Sequence, residues 1–160
     1  METVEKRQRE ITFRFLAQPT DINFGGKVHG GAVMKWIDQT AYACAVSWSG
    51  EYCVTVYVGG TRFYRPIHIG NLVEVRAKLI YTGRTSMHVS VDVSACDMKN
   101  GQFGKTTRCI IILVAVDENI KPVPVKPWVP VTEEDVKLEK FAKKLMKLRE
   151  GIEAEVSSFN

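Results

Sequence analysis

The chain has 160 residues and a mass of 18.0 kDa, which is one domain's worth of sequence rather than two. Apolar residues make up 45% and charged residues 25%, values that exclude a disordered or collagen-like chain. No apolar run reaches the ~18 residues of a membrane span. The charged start METVEKRQREI lacks the apolar core of a secretory signal, so we predict a soluble protein of the cytoplasm.

The formal net charge of +4 is unevenly spread, with +5 on residues 1–130 and −1 on residues 131–160. The positive charge of residues 1–130 is compatible with an anionic small-molecule ligand, and it is also compatible with ordinary surface charge that has no ligand. No dense basic stripe with interleaved aromatic side chains is present, so we predict neither nucleic acid nor a membrane as a partner. The cysteines lie in apolar segments without metal-ligand spacing, which predicts buried thiols in a reducing compartment and no metal site. These are Cys44, Cys53, Cys96 and Cys109.

Residues 10–18 predict a short strand, and the glycine-rich stretch 19–31 predicts an irregular loop. The next stretch, Gly31 to Ser49, has no proline and predicts a long helix. At 100° per residue its polar side chains share one narrow wedge, and the rest of its circumference is apolar. That wedge consists of Lys35, Asp38, Gln39 and Tyr42. A helix of this kind is buried in a core rather than laid on a surface.

Four strand-like runs follow, and short turn-like links at 68–71, 82–85 and 99–102 join each run to the next. They cover residues 52–65, 71–82, 85–96 and 106–117, with Gly59-Gly60 predicting a bulge or bend in the first. Short links require antiparallel neighbours. One sheet with one apolar face needs a cover, and the buried helix is the only candidate in the first 117 residues. The prediction is an α+β fold in which an antiparallel sheet curls around one long helix.

The stretch 118–130 contains four prolines and predicts an extended segment. Thr132 is then a plausible N-cap for a second helix that continues to about Arg149. We therefore assign one domain to residues 1–130 and a C-terminal helical extension to residues 131–160. The partial apolar stripe of this helix packs against its own domain or, alternatively, contacts another subunit.

Asp38 is the first candidate for chemistry, because a carboxylate on a mostly apolar helix is costly to bury unless it is paired or functional. The alternative is a solvent-facing wedge with a weak pair between Lys35 and Asp38. At the helix start, Gly30 and Gly31 leave backbone N–H groups uncovered, and such donors can hold a developing oxyanion. They lie about two turns, roughly 10 Å, from Asp38. That distance suggests a site completed by a second subunit, or an earlier donor such as Asn23.

These residues resemble the signature of the hot-dog acyl-CoA thioesterases, in particular the cytosolic (brain-type) acyl-CoA hydrolases and their short bacterial relatives. The matching motifs run in order over residues 12–125. They are Asn23-x-x-Gly26-x-x-His29-Gly30-Gly31, Lys35-Trp36-Ile37-Asp38-Gln39-x-Ala41, Phe63-x-x-Pro66-Ile67-x-x-Gly70, the turn from Thr82 to Met87, and Val114 to Asp117. The family often has Asp where this chain has Asn71, a departure that affects a turn.

The resemblance implies a hot-dog fold with five to six strands, a homodimer joined sheet to sheet, and a further assembly as a trimer of dimers, hence a hexamer. It also implies acyl-CoA hydrolysis, with Asp38 as general base or nucleophile and Asn23 assisting across the dimer interface. A backbone N–H near Gly30 or Gly31 takes the oxyanion. We assign His29 to substrate binding and to ordering the loop, rather than to acid–base work. Coenzyme A is part of the substrate and product, and no cofactor is needed.

For the CoA phosphates the best candidate is Arg84 in the TGRTS turn, with Thr85 and Ser86 offering hydroxyls and backbone donors. A second hypothesis is a non-catalytic CoA-binding or regulatory hot-dog module, which would bind CoA without turnover. A third hypothesis is a hot-dog dehydratase. Such an enzyme usually uses a catalytic His with an acidic partner, and His29 alone does not provide this pair. The sequence does not determine acyl length, regulation by a nucleotide or CoA, or the role of the C-terminal helix.

Overall fold

The computed structural model describes residues 7–160. Residues 1–6, on which the prediction of no secretory signal partly rests, lie outside the described residues. The elements in chain order are β1 (Glu10–Leu16), a 3-10 turn (Pro19–Asp21), α1 (Gly30–Ser49), β2 (Tyr52–Phe63), β3 (Leu72–Thr82), β4 (Ser86–Asp97), β5 (Gln102–Val116) and α2 (Glu133–Ser157). Both predicted helices and all five predicted strands are present, with end points that differ by a few residues.

The five strands form one antiparallel sheet in the order β1-β3-β4-β5-β2. The hot-dog architecture is therefore confirmed. The prediction that the short link at 68–71 makes β2 and β3 neighbours is wrong, because β2 pairs with β5 and lies at one edge of the sheet. The register of β2 against β5 shifts between Gly59 and Arg62, which confirms the predicted irregularity. Gly60 takes a positive φ of 66° there, a conformation that favours glycine. β5 is buried on both faces, because Ile111 and Leu113 belong to the core around α1 while Ile110 packs against Ala142 of α2.

The concave face of the sheet packs on α1, as predicted. Met87, Val89, Val91 and Val93 alternate along β4 and are fully buried against this helix and its neighbours. The buried face of α1 is formed by Val33, Ile37, Ala41, Cys44, Ala45 and Trp48. The helix ends at Gly50, whose φ of 72° and N–H bond to the Val46 carbonyl form a left-handed C-cap. Because the apolar side of α1 is buried, its polar wedge of Lys35, Asp38, Gln39 and Tyr42 faces outward.

α2 packs on the opposite, convex face of its own sheet. Ala142 is buried with Ile80 and Ile110, and Leu138 and Leu145 pack beside them. The prediction that α2 ends near Arg149 is wrong, because the helix continues through Gly151 to Ser157. A single glycine costs about 1 kcal/mol relative to alanine and does not end a helix whose following residues are helix formers. The Arg149–Glu153 pair, four positions apart, bridges the glycine.

Asp135 joins the start of α2 to the N-terminal segment. Its carboxylate accepts hydrogen bonds from the backbone of Val131 and Thr132 and from Arg9 Nη1, the last at 2.6 Å. Thr132 Oγ1 in turn accepts from the Asp135 N–H, so the predicted N-cap is a complete capping box. Burial alone raises the pKa of Asp135. The hydrogen bonds from Val131, Arg9 and Thr132 have a larger, opposite effect, and the pKa falls to about 2.

Replacing Asp135 by asparagine is expected to lower the free energy of unfolding by about 2 kcal/mol, since it leaves Arg9 without its anion. The pKa of Asp135 falls from 3.8 to about 2 on folding, so its stabilisation is present above pH 3.8. That stabilisation is lost as the pH falls towards 2. Urea unfolding at pH 7 and pH 2 measures this, and a difference between variant and wild type that persists undiminished at pH 2 contradicts the assignment.

Candidate active site

The loop before α1 holds the helix start in a defined geometry. His29 is the N-cap, and its Nδ1 accepts the Gly31 N–H at 2.9 Å. The His29 ring therefore orders the loop, and the Gly31 donor is already used. The Gly30 N–H has no hydrogen-bond partner among residues 7–160. Of the two glycines predicted as oxyanion donors, Gly30 is the one whose N–H is free to point at a ligand.

Asn23 is fixed by the same loop. Its Oδ1 accepts two backbone hydrogen bonds, from Gly25 at 2.9 Å and from Lys27 at 3.2 Å. These bonds determine the orientation of the amide, because only the oxygen can accept from both N–H groups. The Nδ2 amino group is left as a donor with no partner within the described part of the chain. Asn23 therefore presents a rigid, directed N–H pair.

Asn23 and Gly30 line one hollow of the surface. Segments at the C-terminal end of β2 and at the N-terminal part of β5 complete its wall. The other lining residues include Lys27, Val28, Phe63, Tyr64, Arg65 and Thr106. Phe63 and Tyr64 are each about half exposed, at 51% and 52%. This hollow combines directed donors, apolar walls and two cationic side chains, and it contains no carboxylate.

Asp38 lies in a second hollow, at the other end of β2. Asp38, Gln39 and Tyr42 of α1 face β2 residues from Tyr52 to Thr55 across it. Thr55 Oγ1 donates a hydrogen bond of 2.7 Å to Asp38 Oδ1. The expected alternative of a Lys35–Asp38 pair is not found in the range 7–160. The carboxylate is therefore held by a hydroxyl and keeps its second oxygen free.

The single chain does not bring Asp38 and Asn23 into one site. The two hollows have no lining residue in common, and Asp38 is exposed on the polar wedge of α1. Asp38 lies eight positions after Gly30 on the helix, a rise of about 12 Å. The separation inferred from helix spacing is thus present in the folded chain.

The TGRTS turn lies at the same end of the sheet as Asp38. The Thr85 carbonyl accepts the Ala115 N–H at 3.0 Å, and Ala115 is in register with Cys53 of the Asp38 hollow. The Arg84 carbonyl accepts from Val125 of the extended segment, which secures the turn from the other side. Arg84 itself is exposed, and Thr85 and Ser86 are partly exposed. The three residues predicted to contact CoA are thus together at one accessible turn.

The cysteines do not compete with Asp38 as nucleophiles. All four are free and buried, as predicted. Burial raises the pKa of Cys44 to about 12 and also raises that of Cys53, which lines the Asp38 hollow. A protonated thiol is a weak nucleophile. Among residues 7–160, no group of three or more His, Cys, Asp or Glu side chains is arranged to hold a metal ion.

Sequence reasoning missed Thr55, the hydroxyl that holds Asp38. Its only sequence signal is a polar residue beside apolar neighbours on a strand, which is common. Sequence reasoning also missed that Phe63, at the end of β2, and Tyr64, just after it, line the Asn23 hollow. Their contacts depend on how the loop 19–31 folds over the sheet, which hydrophobic periodicity does not encode.

An antiparallel sheet wrapped around one central helix is the hot-dog fold. The family model described as "Thioesterase superfamily" matches residues 25–101. Over 148 residues the chain is 33% identical to Protein VdlD of Helicobacter pylori, covering 92% of this chain and 84% of that protein. It is 34% identical over 120 residues to the acyl-CoA thioester hydrolase YciA of Salmonella typhimurium, covering 73% and 90%.

The crystal structure of an apo-hexameric acyl-CoA thioesterase matches with a TM-score of 0.87 and 32% identity, covering 91% of this chain and 94% of that one. The chain belongs to the thioesterase superfamily. The structural match covers 91% of the chain, which is more than the motifs of residues 12–125 span. Within residues 7–160 no helix is long and apolar enough to cross a membrane.

Proposed function

We propose that this protein hydrolyses acyl-CoA thioesters to a free acid and CoA. The observation that carries the proposal is the Asp38 carboxylate, held by Thr55 at 2.7 Å on an otherwise apolar helix. The relatives named acyl-CoA thioester hydrolases support the substrate class. A thioester suits a site of this kind, because its carbonyl is reactive and a thiolate leaves readily.

We propose that a second copy of the chain completes the site. β2 is an edge strand, and apolar side chains on it are exposed, with Val56 at 54% and Val58 at 41%. Such an edge requires a cover. Antiparallel pairing of two β2 strands about a twofold axis near Gly59 sets Thr55 opposite Phe63 of the partner subunit. This pairing joins the Asp38 hollow of one copy to the hollow of the other that holds Asn23 and Gly30, at two equivalent sites.

In this assembly the chain's own groups account for the reaction. Asp38 takes a proton from a water whose oxygen attacks the thioester carbon, or its oxygen attacks directly to give an anhydride that water then opens. The Gly30 N–H and Asn23 Nδ2 donate to the carbonyl oxygen as it becomes negative. The C–S bond then breaks, and the CoA thiolate takes up a proton. Both routes need Asp38 ionised, and the choice between them stays open.

We propose further that three such dimers form a hexamer, that the protein acts in the cytoplasm, and that it uses no cofactor. The similar thioesterase whose crystal structure is described as hexameric supports the assembly. The four free buried cysteines suit a reducing compartment. The proposed reaction needs only a carboxylate, N–H donors and water, and therefore no cofactor. Native mass spectrometry tests the assembly, and six copies are expected.

The test of the function is a hydrolysis screen over acyl-CoAs from acetyl to palmitoyl, with released thiol captured by a reactive dye. We expect turnover on part of the series, unchanged after dialysis against EDTA. Tight CoA binding with no thiol release at any chain length would instead identify a binding module. Activity lost with EDTA and restored by one metal would contradict the cofactor-free reaction.

The CoA phosphates are proposed to bind at Arg84, with Thr85 and Ser86 as further donors. Arg84→Gln is expected to raise KM for acyl-CoA about tenfold with little change in kcat, because the phosphates are remote from the reacting carbon. Lys99→Gln, at the far end of the β4 hairpin, is the control and should leave both constants unchanged. Equal KM values for Arg84→Gln and wild type would place the phosphates elsewhere.

A further inference from the structure

A cavity of about 160 Å³ lies under the C-terminal half of α2, on the convex face of the sheet. It shares no residue with either hollow of the candidate active site. Its walls are mostly apolar and come from both α2 and the strands β2, β4 and β5. They include Gly59, Ile110, Ile112, Leu145, Leu148 and Ile152.

Three side chains with polar groups line this mostly apolar space, Tyr57 of β2, His88 of β4 and Arg149 of α2. His88 is only 3% exposed and lines the cavity. Arg149 Nε is buried and makes no hydrogen bond among residues 7–160. A native fold seldom leaves a buried donor of this kind unsatisfied, so Arg149 points to a missing acceptor.

The charges around the cavity define what that acceptor is. Glu153 approaches Arg149 Nε to 3.5 Å but is 58% exposed, so it neutralises the guanidinium weakly. Tyr57 and Tyr81 contribute aromatic faces, with the Arg149 guanidinium 5.1 Å from the Tyr57 ring centroid and the Tyr81 ring 5.0 Å from His88. Burial and the positive charge of Arg149 lower the pKa of His88 to about 4. At neutral pH the cavity therefore offers one cation and one neutral N–H.

We propose that this cavity binds an aliphatic monocarboxylic acid, with its carboxylate on Arg149 and His88 and its chain along Ile112 and Leu145 towards Leu148. A carboxylate gives Arg149 Nε the acceptor that it lacks and also accepts from the neutral His88 ring N–H, and the apolar walls suit an alkyl chain but no second charge. The ligand belongs to the class of the acid that the proposed hydrolysis releases. If that function holds, the cavity is a second, non-catalytic site for product. Binding itself does not depend on hydrolysis.

The first test is calorimetric titration of the full chain with octanoate and with 1-octanol. We expect octanoate to bind the wild type and Arg149→Met to weaken octanoate binding at least about tenfold. The affinity of the wild type for 1-octanol should be no higher than the affinity of Arg149→Met for octanoate. Lys147→Met is the matched control, because Lys147 is exposed two positions away on the same helix. Octanoate binding unchanged by Arg149→Met, equal binding of the alcohol, or no binding at all would overturn the proposal.

The second test reads His88 directly, by NMR titration of its ring with and without octanoate. A carboxylate beside the ring should raise the pKa of His88 above the value of about 4 that it has in the protein without octanoate. An unchanged His88 titration at saturating octanoate would overturn the proposal even if the acid binds elsewhere, for example in the active site. Neither experiment measures thioester cleavage, so failure here and failure of the proposed hydrolysis are separate outcomes.

Discussion

Replacing Asp38 by asparagine is expected to reduce kcat for acyl-CoA hydrolysis by at least about 10³-fold. Asparagine keeps the size and the hydrogen bond from Thr55 but can neither accept a proton from water nor attack the thioester. KM should change little, because Asp38 acts on the reacting atoms. Steady-state kinetics with the thiol-reactive dye measures both constants.

The control for this variant is Glu150→Gln, which removes an exposed carboxylate from α2 and should leave kcat unchanged. Native mass and melting temperature of both variants should match the wild type, because Asp38 is exposed in the single chain and makes one side-chain hydrogen bond there. Asp38→Asn with a kcat within tenfold of wild type would remove Asp38 from the chemistry.

Asn23→Asp is expected to lower kcat by about 10²–10³-fold. The aspartate can still accept from Gly25 and Lys27, so the loop is preserved, but it has no N–H to donate to the carbonyl oxygen. It also sets a negative charge where the oxyanion forms. The same dye assay measures this loss, and Asn23→Ala separates loop order from donation.

If the donor is what matters, Asn23→Asp and Asn23→Ala both lose activity while only Asn23→Ala also lowers the melting temperature. An Asn23→Asp variant with normal turnover would assign Asn23 to loop structure alone.

Much of this fold could be predicted because hydrophobic patterning is local. The mostly apolar circumference of α1 indicated a core helix, and the alternation of β4 indicated a strand with one buried face. The end of α2 could not be placed, because a glycine at 151 costs little when the flanking residues favour helix. Contacts of α2 with the convex face also involve His88, whose burial depends on a helix some sixty residues further along the chain.

The candidate site was predicted in part. The sequence shows that Asp38 lies on a mostly apolar helix and that two glycines stand at the start of this helix. Thr55 was missed because strand register against α1, rather than sequence spacing, brings it to Asp38. The choice between Gly30 and Gly31 also needed the structure, since it depends on which N–H the His29 ring takes.

The separation of Asp38 from Asn23 within one chain leads to the most direct test, subunit complementation. Asp38→Asn and Asn23→Ala chains, each nearly inactive alone, are co-expressed in equal amounts with different affinity tags. A site shared across the twofold axis restores about a quarter of the wild-type specific activity, because half of the dimers are mixed and each has one intact site. Mixed assemblies purified on both tags that stay as inactive as either variant alone would contradict a shared site.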